Sequence, residues 1–176
     1  CNLTEFTMCA HNGTHVDAPY HFINEGKPID QVDLNRFVGY AYVASHKGDL
    51  SSADAENLIN KAKATSAHTD IADCDCFNRI LLKGKCTVTE DAAKVFADHK
   101  ILLLGNESQT VGPEDAPMAV HLIMMGSNIV LLEGIRLNEA DDGVYFLNAA
   151  PVHLGGADGA PCRAWLIQVA ERGFHL

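Results

Sequence analysis

Three histidines and an aspartate with the side-chain types of metal ligands lie close together near the start of the chain, at positions 11, 15, 17 and 21. Imidazole and carboxylate groups are the ligands that proteins use for zinc, manganese and iron(II). Histidines scattered over a polar surface loop are the simpler alternative. Three histidines and an aspartate at this spacing, with a glycine between the first two histidines, favour a metal site.

The spacing decides which backbone conformation would bring these groups together. A helix is unfavourable because Gly13 is a weak helix former and Pro19 would break the helix. In an extended chain, His15 and Asp17 project from one face, roughly 7 Å apart at the backbone. His11 is too far from His15 in a straight strand, so the chain must bend at Gly13. We predict that His11, His15 and Asp17 bind one ion.

Such a site would be catalytic, because three protein ligands leave coordination positions open. Water bound at an open position loses its proton near neutral pH and becomes a nucleophile. His21 follows Asp17 by four residues, beyond the turn expected at Pro19. It is therefore a candidate general base that later acts as the acid for a leaving nitrogen. The alternative is a histidine that only orients the site through a hydrogen bond.

Two further polar residues lie in apolar stretches. His121 is in the segment AVHLIMM and Glu133 is in IVLLEG. A buried histidine or glutamate without a partner is costly, so each should have one. Taken singly, a hydrogen-bonded core histidine and a glutamate at a strand end are the simpler interpretations.

The elements that must position these residues alternate between strand and helix. Apolar, β-branched runs predict strands, and capping residues with helical spacing predict helices. The pattern indicates an α/β fold with a mixed sheet, because the helices fall as crossovers between strands. The predicted strands are 37–45, 77–82, 101–104, 129–132, 144–149 and 163–169. The predicted helices are 51–64, a second from a capping box at 87–90 to about residue 100, and 118–125. Residues 155–161 are predicted to form a glycine-rich loop.

Composition excludes several classes of protein. The 176 residues carry 13 Lys and Arg against 23 Asp and Glu, a formal net charge of −10, which disfavours nucleic-acid binding. Apolar runs are too short for a membrane span, which needs roughly 20 residues. The six cysteines show no zinc-knuckle spacing, so we expect reduced thiols in a cytoplasmic protein. Disulfide bridges would be the alternative in an exported protein.

The segment HNGTHVDAPYHF (11–22) resembles the H-x-G-T-H-x-D-x-P-x-H signature of the metal-dependent cyclase-like hydrolases. That family includes bacterial kynurenine formamidase and isatin hydrolase. Two further blocks agree with the family: SQTVGPEDAP (108–117), followed by the helix and strand that contain His121 and Glu133, and GGADGAPCRA (155–164). The resemblance extends over nearly the whole chain.

The resemblance implies a single domain over residues 1–176 with a layered β/β/α arrangement of the swivelling type. It implies that His11, His15 and Asp17 bind a first ion, and that His121 and Glu133 help to hold a second, with Asp17 bridging. His21 would be the catalytic histidine. The cofactor would be one or two ions of Zn²⁺ or Mn²⁺, and the protein would be a homo-oligomer, a dimer or tetramer. Family members have a longer segment before the motif, so we expect the family's N-terminal strand to be missing.

The implied activity is hydrolysis of an amide C–N bond in a small aromatic molecule, as in an arylformamidase. Opening of a cyclic amide, as in isatin hydrolase, is the nearest alternative. An iron(II) oxygenase that uses His15 and Asp17 with a distant histidine belongs to another class, but it leaves His11 without a role. A non-catalytic, metal-binding relative is the third possibility.

Overall fold

An eight-stranded mixed sheet forms the centre of the computed structural model, which describes residues 1–169. The strands of the described residues are β1 (His15–Asp17), β2 (Val38–Ser45), β3 (Gly48–Leu50), β4 (Arg79–Lys83), β5 (Cys86–Val88), β6 (Leu103–Asn106), β7 (Val130–Glu133), β8 (Gly143–Asn148), β9 (Gly159–Pro161) and β10 (Trp165–Gln168). The large sheet has the spatial order β10-β8-β2-β4-β6-β7-β1-β9, and β3 pairs with β5 outside it. Strands β2, β4, β6 and β7 run parallel, while β8, β10, β1 and β9 pair with their neighbours in antiparallel fashion.

Three α-helices begin where the sequence supplies a capping or helix-starting residue. Helix α1 (Ser52–His68) has a capping box in which Ser51 and Asp54 satisfy each other's backbone N–H groups. Helix α2 (Glu90–Asp98) is capped by the side chain of Thr89, which accepts a hydrogen bond from the backbone of Ala92. Helix α3 (Met118–Gly126) follows Pro117, whose fixed φ suits the start of a helix.

Two apolar clusters lie on the two faces of the sheet. The cluster that includes the helices takes Val120 and Met124 from α3 together with Leu131 of β7. The other cluster contains Val16 of β1 and Leu132 of β7. Because side chains alternate along a strand, His15 and Asp17, which flank Val16, and Glu133, which follows Leu132, point toward the helices. The fold thereby turns the polar residues of β1 and β7 toward α3.

The predicted α/β class with a mixed sheet is confirmed, as are the main strands and all three helices. The capping box predicted at 87–90 was wrong in its position, because residues 86–88 form β5 and the cap is Thr89. The glycine-rich loop was predicted too long, since its last three residues pair with β1 as β9. The two-stranded sheet of β3 and β5 was not predicted, because both strands are only three residues long.

The described residues also test the predictions about membrane spans and cysteines. None of the helices between residues 1 and 169 has the length and hydropathy needed to cross a bilayer. All six cysteines lie in this part of the chain and all are free thiols.

Candidate metal centre

The backbone around Gly13 brings the N-terminal motif into the sheet. Gly13 has a φ of +69°, a left-handed conformation that side chains other than glycine rarely adopt. The chain bends there and continues as β1, which lies between β7 and β9. In this register His15 faces Glu133, and partners across a sheet point to the same face. The predicted bend near Gly13 is confirmed.

Four buried side chains from three elements form a closed ring, which we call the donor ring: His15, Asp17, His121 and Glu133. The Nε2 atom of His15 is 3.3 Å from Asp17 Oδ1 and 3.5 Å from Glu133 Oε2. On the other side, His121 Nε2 is 3.6 Å from Asp17 Oδ2 and 3.4 Å from Glu133 Oε1. Each imidazole therefore lies between the same two carboxylates.

Backbone carbonyl groups hold both imidazoles of the donor ring in one orientation. His15 donates its Nδ1–H to the carbonyl oxygen of Gly13 at 3.0 Å, and His121 donates its Nδ1–H to Pro117 at 2.9 Å. In both rings this leaves Nε2 as the atom that faces the carboxylates. Histidines that bind metals show this pattern, because a hydrogen bond at one nitrogen fixes the tautomer that ligates through the other.

The donor ring fits a divalent ion by its chemistry and its dimensions. Ligand atoms about 2.1 Å from a tetrahedral ion lie about 3.4 Å from each other. The four separations, 3.3–3.6 Å, match that value, with one oxygen of each carboxylate facing His15 and the other facing His121. The ligand atoms of His15, Asp17 and Glu133 all lie within 4.8 Å of one another. Two anionic and two neutral donors, with no thiolate among them, suit zinc or manganese.

His11 lies at the edge of the donor ring and links it to the glycine-rich loop. It donates Nδ1–H to Asp17 Oδ1 at 2.8 Å and Nε2–H to Asp158 Oδ2 at 2.9 Å. His15 approaches the same oxygen of Asp17, so both His11 and His15 contact Asp17. That the three residues share one ion stays a prediction.

Contacts with carboxylates raise the pKa values of His11, His15 and His121. The hydrogen bond to Asp17 is the main cause that raises the pKa of His11 to about 8. Burial lowers the pKa of His15, but its bonds to Asp17 and Glu133 outweigh burial and raise the pKa to about 10. Burial likewise lowers the pKa of His121, but its bonds to Asp17 and Glu133 raise that pKa to about 9. Burial raises the pKa of Asp17, but the three histidines hold it well below its usual range. Without a metal ion, protons on the histidines supply the positive charge that balances the carboxylates. Metal binding must release these protons.

His21 lies beside this cluster on a short 3₁₀ turn, Pro19–His21. Its ring stacks on His11, with centroids 3.9 Å apart, and its Nδ1–H donates to Asp158 Oδ2 at 3.1 Å. The side chain of His21 is 27% exposed, so a small molecule can reach it. Its ligand atom also lies within 4.8 Å of those of His11 and Asp17. The position of His21 is therefore compatible with a role as proton carrier or as metal ligand.

The structure brings together all the residues that the sequence singled out. His121 and Glu133 lie within reach of Asp17, which confirms their predicted placement across more than a hundred residues of chain. The roles of ligand and proton carrier remain predictions. The assembled set comprises His11, His15, Asp17, His21, His121 and Glu133.

Two neighbours of the cluster were missed by the sequence reasoning. Asp158 contacts two histidines, although it lies 137 residues after His21. It is the only carboxylate in the block 155–164, and that was the signal available. Phe22 packs against His21 and His121, with ring centroids 4.6 and 4.8 Å away. It directly follows His21, so its place beside the site could have been inferred from adjacency.

A cavity of about 570 Å³ lies apart from this cluster, and none of the six assembled residues lines it. Its wall includes Leu132 and Leu147, which belong to the apolar cluster on the other face of the sheet. Trp165 and Arg136 also line it. The cavity therefore offers no direct access to the donor ring.

Comparison with known proteins agrees with this geometry. The Cyclase family model, described as “Putative cyclase”, matches residues 3–113. A kynurenine formamidase of Bacillus cereus is 32% identical over 176 aligned residues, which cover 93% of this chain and 78% of the relative. A solved structure described as a potential metal-dependent hydrolase with cyclase activity superposes with a TM-score of 0.73 at 28% identity, covering 91% of this chain and 80% of that one. Isatin hydrolase A from Labrenzia aggregata shares the fold, with a TM-score of 0.71 at 18% identity over 90% of this chain and 73% of its own.

Proposed function

Because this chain belongs to the Cyclase family, we propose that it is a metal-dependent hydrolase that cleaves the amide C–N bond of a small aromatic substrate, as an arylformamidase does. Its relatives along most of its length are kynurenine formamidases, so an aryl formamide is the first substrate class to consider. The reaction adds water to the formyl carbon, breaks the C–N bond and releases formate and an arylamine.

The observation that carries the proposal is the donor ring. Each of the two imidazole Nε2 atoms faces one oxygen of both carboxylates at the separation expected between ligands of one ion. We propose Zn²⁺ or Mn²⁺ there, as one ion or as two. Bound with a coordination position left for water beyond the protein ligands, the metal would supply a Lewis acid for the carbonyl oxygen and lower the pKa of that water. With two ions, His11 would serve the first with His15 and Asp17, and Asp17 would connect it to the second, held by His121 and Glu133.

The chain's own residues do the remaining work. His21 is proposed to carry the proton that the amine nitrogen needs as it leaves, since an unprotonated arylamide anion is a poor leaving group. Its side chain is partly exposed beside the buried cluster, which suits a group that must meet both substrate and solvent. Phe22 offers a ring face next to His21, on which an aromatic substrate can pack.

The wider setting follows from composition and is also proposed. Six free thiols suit the reducing cytoplasm. The net charge of −10 argues against nucleic-acid partners, so the partner is a small molecule. We further propose one domain over residues 1–176 and a homo-oligomer, a dimer or tetramer.

The test is hydrolysis of aryl formamides by the purified protein, followed as formate release. We expect turnover that is abolished by a strong chelator and restored by Zn²⁺ or Mn²⁺, in air and under nitrogen alike. Turnover that survives complete metal removal would contradict the proposal, and a requirement for O₂ would favour an iron(II) oxygenase. Faster opening of cyclic amides would move the substrate toward the isatin hydrolase type.

A further inference from the structure

The backbone of Asp158 is fixed to the metal-binding motif itself. Its carbonyl oxygen accepts the N–H of Ala18 at 2.9 Å, and the next residue, Gly159, pairs with Asp17 across β1 and β9. The loop before it is held by Ile29, whose N–H donates to Ala157, and by Asp30, which accepts the N–H of Gly156 at 3.0 Å. These bonds hold the loop without the Asp158 side chain.

The Asp158 side chain instead serves two imidazoles. One oxygen, Oδ2, accepts Nδ1–H of His21 at 3.1 Å and Nε2–H of His11 at 2.9 Å. The two rings stack at 3.9 Å with an angle of 24° between their planes, so one carboxylate oxygen orients both. The Asp158 side chain is 42% exposed, so it is not part of the packed core.

The bond to Nδ1 determines which atom of His21 can act on a substrate. A carboxylate can only accept, so Nδ1 must carry a proton whenever this bond is present. The other nitrogen, Nε2, then alternates between protonated and free, and no group within residues 1–169 forms a hydrogen bond with it. A histidine whose orientation and tautomer are fixed at one nitrogen is suited to transfer protons at the other.

We propose that Asp158 is the positioning residue that holds His21 with Nδ1 protonated, so that Nε2 delivers the proton to the nitrogen leaving group. The proposal rests on the hydrolase function proposed above. In the step itself, the C–N bond breaks, its electron pair stays on nitrogen, and the Nε2 proton of His21 moves to that nitrogen. The neutral imidazole then recovers a proton from the water that has added to the carbon.

Three variants of the zinc-loaded enzyme test the proposal. Asp158→Ala removes the acceptor, and kcat on an aryl formamide should fall roughly 10- to 100-fold, the usual effect of removing such a partner. Asp158→Asn keeps an acceptor oxygen without the charge, so its kcat should lie between those of Asp158→Ala and the wild type. Asp30→Asn is the matched control, because Asp30 holds the same loop through Gly156 but bonds to no histidine among residues 1–169. Its kcat should be that of the wild type.

Two readouts separate positioning from structure. A 4-nitrophenyl ester has a leaving group that needs no proton, so Asp158→Ala should hydrolyse it at close to the wild-type rate. Long-range ¹H–¹⁵N NMR should show the Nδ1–H tautomer of His21 in the wild type and a mixture of tautomers in Asp158→Ala. Equal losses on amide and ester at saturating zinc, or an unchanged tautomer, would each overturn the proposal. A wild type that hydrolyses no aryl formamide would refute the proposed function instead.

Discussion

Glu133→Gln removes one negative charge from the donor ring while keeping the anchor of that side chain. Glu133 Oε1 accepts the backbone N–H of Val111 at 2.8 Å, and the amide oxygen of a glutamine can keep this bond. The amide nitrogen then takes the place of Oε2 and points a donor at His15, where the native carboxylate offers a lone pair. The variant should fold and lose affinity for the ion.

The size of the loss follows from the position of Glu133. Residues that only support a metal ligand change affinity by about 10- to 100-fold when they are mutated. Glu133 is placed as a direct donor, so we expect a loss of at least about 100-fold, or about 2.7 kcal/mol of metal-dependent stability. For a chain of this size, that amounts to a metal-induced rise in Tm that is roughly 5–10 °C smaller.

Calorimetric titration with Zn²⁺ and thermal unfolding with and without the ion measure both quantities. Glu107→Gln is the control, since Glu107 also accepts backbone N–H groups, from Gly84 and Leu137, but bonds to no histidine in the described part of the chain. It should lower the Tm of both forms and leave the metal-induced shift unchanged. If Glu133→Gln bound zinc as tightly as the wild type, Glu133 would not be a ligand and the reasoning from the donor ring would fail.

Three further predictions concern the surroundings of the ring. His21→Ala should keep bound metal and lose roughly 10²–10⁴ in kcat, and metal lost along with the rate in elemental analysis would make it a ligand. In the metal-free protein, the raised pKa values of His11 and His15, about 8 and about 10, stabilise the fold fully below pH 6.5, the pKa of unfolded histidine. Urea unfolding should therefore show stability falling as pH rises from about 6.5 to 10, and stability that rises over this range would contradict the pKa assignments. A Cβ at Gly159 would lie 2.7 Å from the ring of His11, so Gly159→Ala should destabilise the protein by about 1–3 kcal/mol and weaken metal binding, whereas Gly155→Ala, with open space around its Cβ, should do neither. Equal Tm values and zinc affinities in these two variants would refute the packing argument.

The parts of the fold that sequence could predict are those set by local chemistry. The caps at Ser51 and Pro117 mark helix starts within a few residues, and a single apolar run marks β2. The metal motif could be interpreted for a similar reason: Gly13 and Pro19 exclude a helix, and period-two alternation then groups His15 with Asp17.

The remaining features depend on pairings between distant segments. Sequence gives no register for β1, yet that register sets His15 opposite Glu133 and Asp17 opposite Gly159. Strand β9 has little strand character of its own and exists because β1 supplies its partner. Asp158 belongs to the site for the same reason, and no spacing rule connects it to His21.

The central claim is that His15, Asp17, His121 and Glu133 hold a divalent ion. Anomalous diffraction from crystals of the zinc-loaded protein tests it most directly. We predict a zinc peak inside the donor ring, about 2.0–2.2 Å from the ligating atoms, with Nδ1 of both histidines still bound to backbone carbonyls. A fully loaded crystal with its zinc elsewhere, and with these four side chains still bonded to one another and to no metal, would contradict the account.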